Sequence, residues 1–276
     1  MTDQRTAAGG VDFGRATVAR IYDYLLGGER NFPADRAAAH QLLRAVPEAR
    51  DIAWSNRLFL RRAVHVLAET GIRQFLDLGS GIPTQGNVHE VAQAIAPDSR
   101  VLYVDIDPVA VVASNEILMG GPHRALEGDF TQPELLLDTL SDSDLATVID
   151  LNRPVAVLYC AVLQQVPDNR IDAVIAPIRD QLAPGSAMVI SHLSAVDVTD
   201  AYDETTVSTA KSVFKAQAAT EITLRTDAQL GALFGDFTIM APGLVPLSDW
   251  RPELSGPDPY STAPTRSPMH GAVATR

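Results

Sequence analysis

The segment FLDLGSGIPTQGN (75–87) sets an apolar run, a carboxylate at Asp77 and a Gly79-Ser80-Gly81 turn in immediate succession. Glycines in such a turn let a ligand approach the backbone closely, and a following helix presents unpaired amide donors; the sequence predicts that helix from Pro83. Further on, VLYVDID (101–107) ends an apolar run with Asp105 and Asp107. An acidic side chain at a strand end accepts both hydroxyl protons of a ribose, which assigns Asp105, with its neighbour Ile106, to a nucleoside. Asp107, just before Pro108, reads as a cap for the next helix. EGDF (127–130) adds Asp129, placed to accept from an adenine amino group, and Phe130 to pack on the ring.

Charge and spacing decide which nucleotide fits. A dinucleotide fingerprint needs G-x-G-x-x-G, but Pro83 and then Thr84 stand where its third glycine belongs. No Gly-Lys-Ser/Thr follows the turn, which excludes a P-loop. The negative charge of Asp77 opposes a pyrophosphate and favours the ammonium and sulfonium groups of S-adenosylmethionine. A nucleotide-dependent oxidoreductase is the weaker reading on both counts.

These residues need a scaffold that brings strand ends together. Short apolar or β-branched runs at 74–78, 100–105, 124–128, 154–160 and 187–193 alternate with helical segments, which predicts βαβ units and a mostly parallel sheet. Carboxylates after the first three strands then share one carboxyl edge, where open α/β sheets bind ligands. The clearest helix carries Ile171, Val174, Ile175, Ile178 and Leu182 on one stripe, with Asp168 as the expected cap and Pro184-Gly185 as its end. Residues 197–219 and 226–234 are predicted helical, 236–240 and 270–275 are predicted strands, and 252–268 reads as a Pro, Ser and Thr-rich segment that is a loop or partly disordered. Before Gly71, Leu60, Ala63, Val64 and Leu67 recur at helical spacing. Residues 20–36 read as helix, tight loop, helix, with Gly27-Gly28 and Pro33 as the break. The expected division is a helical lid or cap over residues 1–70 and a cofactor-binding domain over 71–276.

Bulk properties narrow the partners. With 276 residues, 46% of them hydrophobic and 20% charged, the chain has the makings of an ordinary globular protein. A formal charge of -12 repels a phosphate backbone, so nucleic acid is not an expected partner. Apolar runs are too short for a membrane span, and the leader MTDQRTAAGG lacks a signal-peptide core, which points to the cytoplasm. The single cysteine, Cys160, reads as a structural thiol. The six histidines never approach metal-ligand spacing, and no metal is expected.

The ordered set of carboxylates and the LAPGS turn (182–186) resemble the class I S-adenosylmethionine-dependent methyltransferases. The resemblance narrows further. ARIYDYLLGG, NFPADR, NRLFLRRAV, FLDLGSGIPTQGNVHEVAQ, VDIDP, RPVAVLYCAVL, LAPGSAMVISH and APGLVPLSDWRP occur in that order, as in a bacterial family of S-adenosylmethionine methyltransferases formerly described as a domain of unknown function. The resemblance implies a Rossmann-like, seven-stranded, mostly parallel α/β sheet in which the strand at 270–275 runs antiparallel between 187–193 and 236–240. It further implies that Asp77, Gly79 and Gly81 meet the cofactor's amino-acid end, Asp105 its ribose, and Asp129 with Phe130 its adenine, with Ser80 and Ile106 as further cofactor contacts. The chain departs from the pattern at Pro83 and at Gln164-Gln165, where many relatives carry an aromatic or histidine pair.

Methyl transfer is an in-line displacement in which the protein mainly aligns donor and acceptor. On the acceptor side, Tyr22 and His192 are the candidate catalytic residues, His192 because an imidazole suits a base near neutral pH. Tyr22, Asn31 and Gln164 are the candidate contacts to a small-molecule acceptor. Residues 20–36 are expected to close over that side as a lid hinged at Gly27-Gly28. The competing function is a regulatory module that binds S-adenosylmethionine without turning it over.

Overall fold

A computed structural model of the chain describes residues 6–7, 11–83, 86–118, 121–261 and 266–276. Parts of the leader, Thr84 in the glycine turn and part of the loop 252–268 therefore lie outside the described residues. The chain opens with a two-stranded antiparallel ladder, β1 (Thr6–Ala7) and β2 (Val11–Asp12). Helix α1 (Val18–Leu25) follows, then α2 (Pro33–Ala45) and α3 (Ala49–Glu69). Thr17 caps α1 by accepting from the Arg20 amide. Pro33 supplies the first turn of α2, whose start is held by the Asp35 carboxylate accepting from the Phe32 amide at 2.8 Å.

From residue 74 the order becomes β3 (Gln74–Leu78), α4 (Val88–Ile95), β4 (Arg100–Asp105), α5 (Pro108–Ile117), β5 (Arg124–Glu127), α6 (Pro133–Leu140), α7 (Ser143–Ala146) and β6 (Ala156–Cys160). It continues with α8 (Ile171–Arg179), β7 (Ala187–Leu193), α9 (Ala195–Ala201), α10 (Glu204–Ala218), α11 (Asp227–Ala232), β8 (Thr238–Ile239), β9 (Val245–Pro246) and β10 (Met269–Thr275). The strand path is β5-β4-β3-β6-β7-β10-β8, with β9 pairing β10 beside it. Strands β3 to β7 run parallel, and β10 runs antiparallel to both β7 and β8, as expected from the sequence. The short β9, like the β1–β2 ladder, is an addition to the expected strands.

Strand β3 is buried along its whole length because both faces of the sheet are covered. Leu76 and Leu78 face a core built with α6, α8 and α11. Phe75 faces the opposite core, built with Phe59, Leu60, Ala63, Val64 and Leu67 of α3 and with α4. By the period of two, Asp77 is on the α3 side. A third core joins α1, α2 and the start of α3 to Val213 of α10. Helix α3 thus belongs both to the sheet and to the N-terminal layer, so packing places no break at residue 70.

Several local expectations are corrected. The helix after the glycine turn starts at Val88, not Pro83, because Glu90 accepts from the Asn87 amide at 2.7 Å and fixes the cap there. Asp168 does not cap α8; its carboxylate pairs with Arg225 at 3.0 Å, and Arg170 holds the cap position. Residues 197–219 are not one helix, since Asp203 accepts from the Thr206 amide at 2.7 Å and starts α10 afresh. The described part of 252–268 is an anchored loop in which Asp258 is buried against Ser55 and Arg62.

Candidate functional site

The carboxyl ends of β3, β4 and β6 and the turn after β5 open onto one cavity of about 550 Å³. Strand β3 lies between β4 and β6, so the cavity sits where the winding of the sheet reverses, the ordinary ligand position in open α/β folds. Asp77, Gly79, Ser80, Gly81, Asp105, Ile106, Asp129 and Phe130 all line it.

Asp77 is buried, and among the described residues its carboxylate accepts no hydrogen bond. Burial pushes its carboxyl up to about 7, opposed by the nearby Arg57 guanidinium and reinforced by Asp105. Gly79 and Gly81 both take φ of +66°. A Cβ on Gly79 would lie 2.4 Å from Val162, whereas one on Gly81 would meet open space. Close packing therefore demands the first glycine, and backbone conformation the second.

Asp105 ties the turn to β4. One oxygen accepts from the Gly81 amide at 2.7 Å and the other from the Asp107 amide at 2.8 Å. Burial raises its carboxyl to about 6 against the pull of these donors. Each oxygen keeps a second lone pair for a ligand hydroxyl. Ile106 next to it is 66% exposed, an apolar side chain left bare on the cavity wall. Asp107 caps α5 through the Val109 amide and also accepts from the Thr17 hydroxyl, which ties α1 to the cavity rim. Asp129 already accepts from the Thr131 amide and hydroxyl and from Gln132. Burial acts to raise its pKa, but these donors outweigh it and the net shift is downward. Phe130 stands edge-on to Tyr159 with ring centroids 6.4 Å apart.

Helix α1 contributes Val18, Ala19, Arg20 and Tyr22 to the wall, and the chain after α10 contributes Ala219, Thr220 and Glu221. The Tyr22 hydroxyl donates to the Ala53 carbonyl at 2.9 Å and accepts from Asn56 at 2.8 Å. Burial raises its pKa, so it is a neutral, oriented phenol.

The remaining acceptor-side expectations are not met by the geometry: Asn31, Gln164 and His192 are absent from the cavity wall. Asn31 is held inside the α1–α2 loop by bonds of 2.8 Å to the Asp23 carboxylate and the Gly28 carbonyl. Gln164 turns back to the Ala161 carbonyl at 2.7 Å, and its neighbour Gln165 lines the cavity instead. His192 is fully buried between the Leu193 carbonyl and Arg225, each at 2.8 Å. Burial lowers its pKa to about 4, and both ring nitrogens are engaged. The expected hinge is a packed turn: a Cβ on Gly28 would lie 1.9 Å from an Asp23 oxygen.

Sequence reading missed Asn56, Arg57 and Gln165, all on the wall. Asn56 and Arg57 lie within a long amphipathic helix, where a polar pair on the buried face was the available signal. Cys160, at the end of β6, also lines the cavity, and burial raises its thiol well above the ordinary value.

The donor set fits S-adenosylmethionine. Asp77 offers an unpartnered carboxylate to a cation, Asp105 offers free lone pairs to a diol, and Ile106 with Phe130 offers apolar surface to a purine. Among the described residues no helix is long and apolar enough to cross a membrane, and no group of His, Cys, Asp and Glu is arranged to hold a metal.

Comparison with known proteins agrees. The family model described as S-adenosyl methyltransferase matches residues 4–276. A crystal structure of a proposed methyltransferase from Thermobifida fusca YX is similar at 35% identity and TM-score 0.85, with 96% of each chain covered. A DUF574 family protein from Streptomyces avermitilis MA-4680 is similar at 34% identity and TM-score 0.83, covering 95% of this chain and 98% of that one. Magnesium protoporphyrin IX methyltransferase from Synechocystis PCC 6803, solved with bound S-adenosylhomocysteine, shares the fold at 16% identity and TM-score 0.52, with 93% of each chain covered. No curated protein matches the chain. The chain belongs to the S-adenosyl methyltransferase family, and S-adenosylmethionine is its cofactor.

Proposed function

We propose that this cavity methylates a small-molecule acceptor, with the cofactor's methionine end at Asp77 and the Gly79-Gly81 turn, its ribose at Asp105, and its adenine against Ile106, Phe130 and Asp129. The observation that carries the reading is Asp77, a buried carboxylate without a donor among the described residues, near the end of the central strand. Its counterpart is the cofactor's ammonium, whose arrival favours the charged carboxylate.

When bound, S-adenosylmethionine supplies an electrophilic methyl on a sulfonium. The chain's part is to exclude water and fix the approach, and alignment of that kind is worth up to about 7–11 kcal/mol of barrier. Tyr22, Gln165 and the 219–221 turn bound the acceptor space. Tyr22 positions through its phenol rather than as a base, since its hydroxyl is committed to Ala53 and Asn56 and its pKa is raised. No imidazole reaches the wall. The expected chemistry is thus attack by an acceptor that is already a nucleophile at neutral pH. A cavity of about 550 Å³ lies within the range of small-molecule sites, roughly 300–1,000 Å³. We further propose that α1, α2 and α10, which share one core, act as the cap over this cavity.

Two measurements test the proposal. S-adenosylmethionine should bind in an equilibrium titration where NAD does not. Methyl label from the cofactor, incubated with the protein and fractionated cell extract, should enter the low-molecular-mass fraction. Label entering macromolecules alone would overturn the small-molecule assignment.

A further inference from the structure

We infer that Arg57 binds the carboxylate of the cofactor's methionine end, so that Arg57 and Asp77 together recognise a zwitterion. The inference rests on the siting of that end at Asp77. Both residues are on the same side of the sheet, Asp77 from β3 and Arg57 from α3, which packs directly over that face. Both line the cavity.

Arg57 is set apart by what it lacks. The buried arginines Arg20, Arg62 and Arg225 each have a carboxylate within ion-pair distance, from Asp35, Asp258 and Asp168 respectively. Arg57 is 6% exposed, yet among the described residues it forms no ion pair, and its Nε has no hydrogen-bond partner. A guanidinium withdrawn from water without a partner is costly unless a ligand completes it. The obvious protein partner is close enough to be influenced: the Arg57 charge pulls against the raised pKa of Asp77. Even so, the two do not approach within ion-pair distance. A cation and an anion held apart in one cavity, each unpartnered, match a ligand that carries both charges on one carbon. Guanidinium also suits a carboxylate geometrically, since its fork can donate two parallel bonds.

The test uses S-adenosylhomocysteine, its decarboxylated analogue, which keeps the amine, and methylthioadenosine, which has neither charge. Titrations are run above about pH 8, where Asp77 is ionised. The wild-type protein should bind S-adenosylhomocysteine about 10- to 100-fold more tightly than the decarboxylated analogue. Arg57→Gln should remove most of that preference by weakening S-adenosylhomocysteine alone, and Arg57→Lys should restore part of it. A ligand-free melting curve with a single transition confirms that each variant folds. Equal loss for both ligands, or no loss for either, overturns the assignment. Asp105→Ala with methylthioadenosine separates the levels. If that variant binds methylthioadenosine as well as wild type, the siting itself fails. If it binds more weakly while Arg57→Gln shows no carboxylate-dependent loss, only the role of Arg57 fails.

Discussion

A carboxyl held near neutrality by burial gives up its proton when a fixed cation arrives beside it. Asp77, with its pKa raised to about 7, should do so on cofactor binding. Titration calorimetry near pH 6.5, in buffers of different ionisation enthalpy, is expected to show proton release in the wild type. Asp77→Asn should show much less, with Asp105, raised to about 6, supplying the remainder. Unchanged release in Asp77→Asn would mean that Asp77 does not meet the ammonium. The sign for stability is the reverse of that for an ion-paired aspartate. From the ordinary value near 4 up to about 7 the folded state holds a proton that the unfolded state has lost, so the ligand-free protein loses stability as pH rises through that window. Asp77→Asn should therefore be the more stable protein above pH 7, by on the order of 1–3 kcal/mol, read from denaturant midpoints. Asp77 and Asp105 were legible because a charge beside a glycine turn and a charge at a strand end have few other uses. His192 was misread because its type and strand position suggest a cleft. Burial, which lowers its pKa, and its contact with Arg225 are both set by tertiary packing that strand position does not reveal.

At the scale of elements, α1 matters because it lines the cavity and is fastened at its N-cap. Thr17 accepts from the Arg20 amide and donates to Asp107, the cap of α5. Thr17→Val should cost about 1–2 kcal/mol of stability, the usual loss for an N-cap. It should also weaken S-adenosylhomocysteine binding severalfold, because Asp107 holds Asp105 through its amide, and Asp105 is the proposed ribose ligand. Thr226 caps α11 through the Gln229 amide and does not line the cavity. Thr226→Val should lose comparable stability with no change in affinity. If Thr17→Val leaves affinity intact as well, α1 is not coupled to the site. Removing residues 1–36 would be a poor probe of this coupling, because it would uncover Ala49, Ala53 and Val213 in the shared core. The helices and the tight loop were legible from Gly27-Gly28, Pro33 and the apolar spacing. Their use was not, since a glycine pair reads as freedom whether it hinges or packs, and here Gly28 packs on Asp23.

At the scale of the molecule, the parallel strands followed from the alternation of short apolar runs and helices, and the resemblance placed the antiparallel β10 between β7 and β8, while the order of the parallel strands came from the structure. What could not be read were contacts made across long separations in the chain, such as α3 bringing Arg57 to β3 or the 219–221 turn reaching the cavity. Ligand binding should register in the whole fold. S-adenosylhomocysteine at a hundred times its dissociation constant should stabilise the protein by about 2.7 kcal/mol and raise its melting temperature by roughly 5–10 °C, with no shift for NAD. The most direct test of the siting is a crystal structure with S-adenosylhomocysteine bound. The account predicts ribose hydroxyls within hydrogen-bond distance of Asp105, adenine against Ile106 and Phe130, the amino group at Asp77, and the sulfur facing Tyr22. Density for the ligand elsewhere, or with its methionine end away from Asp77, would contradict it.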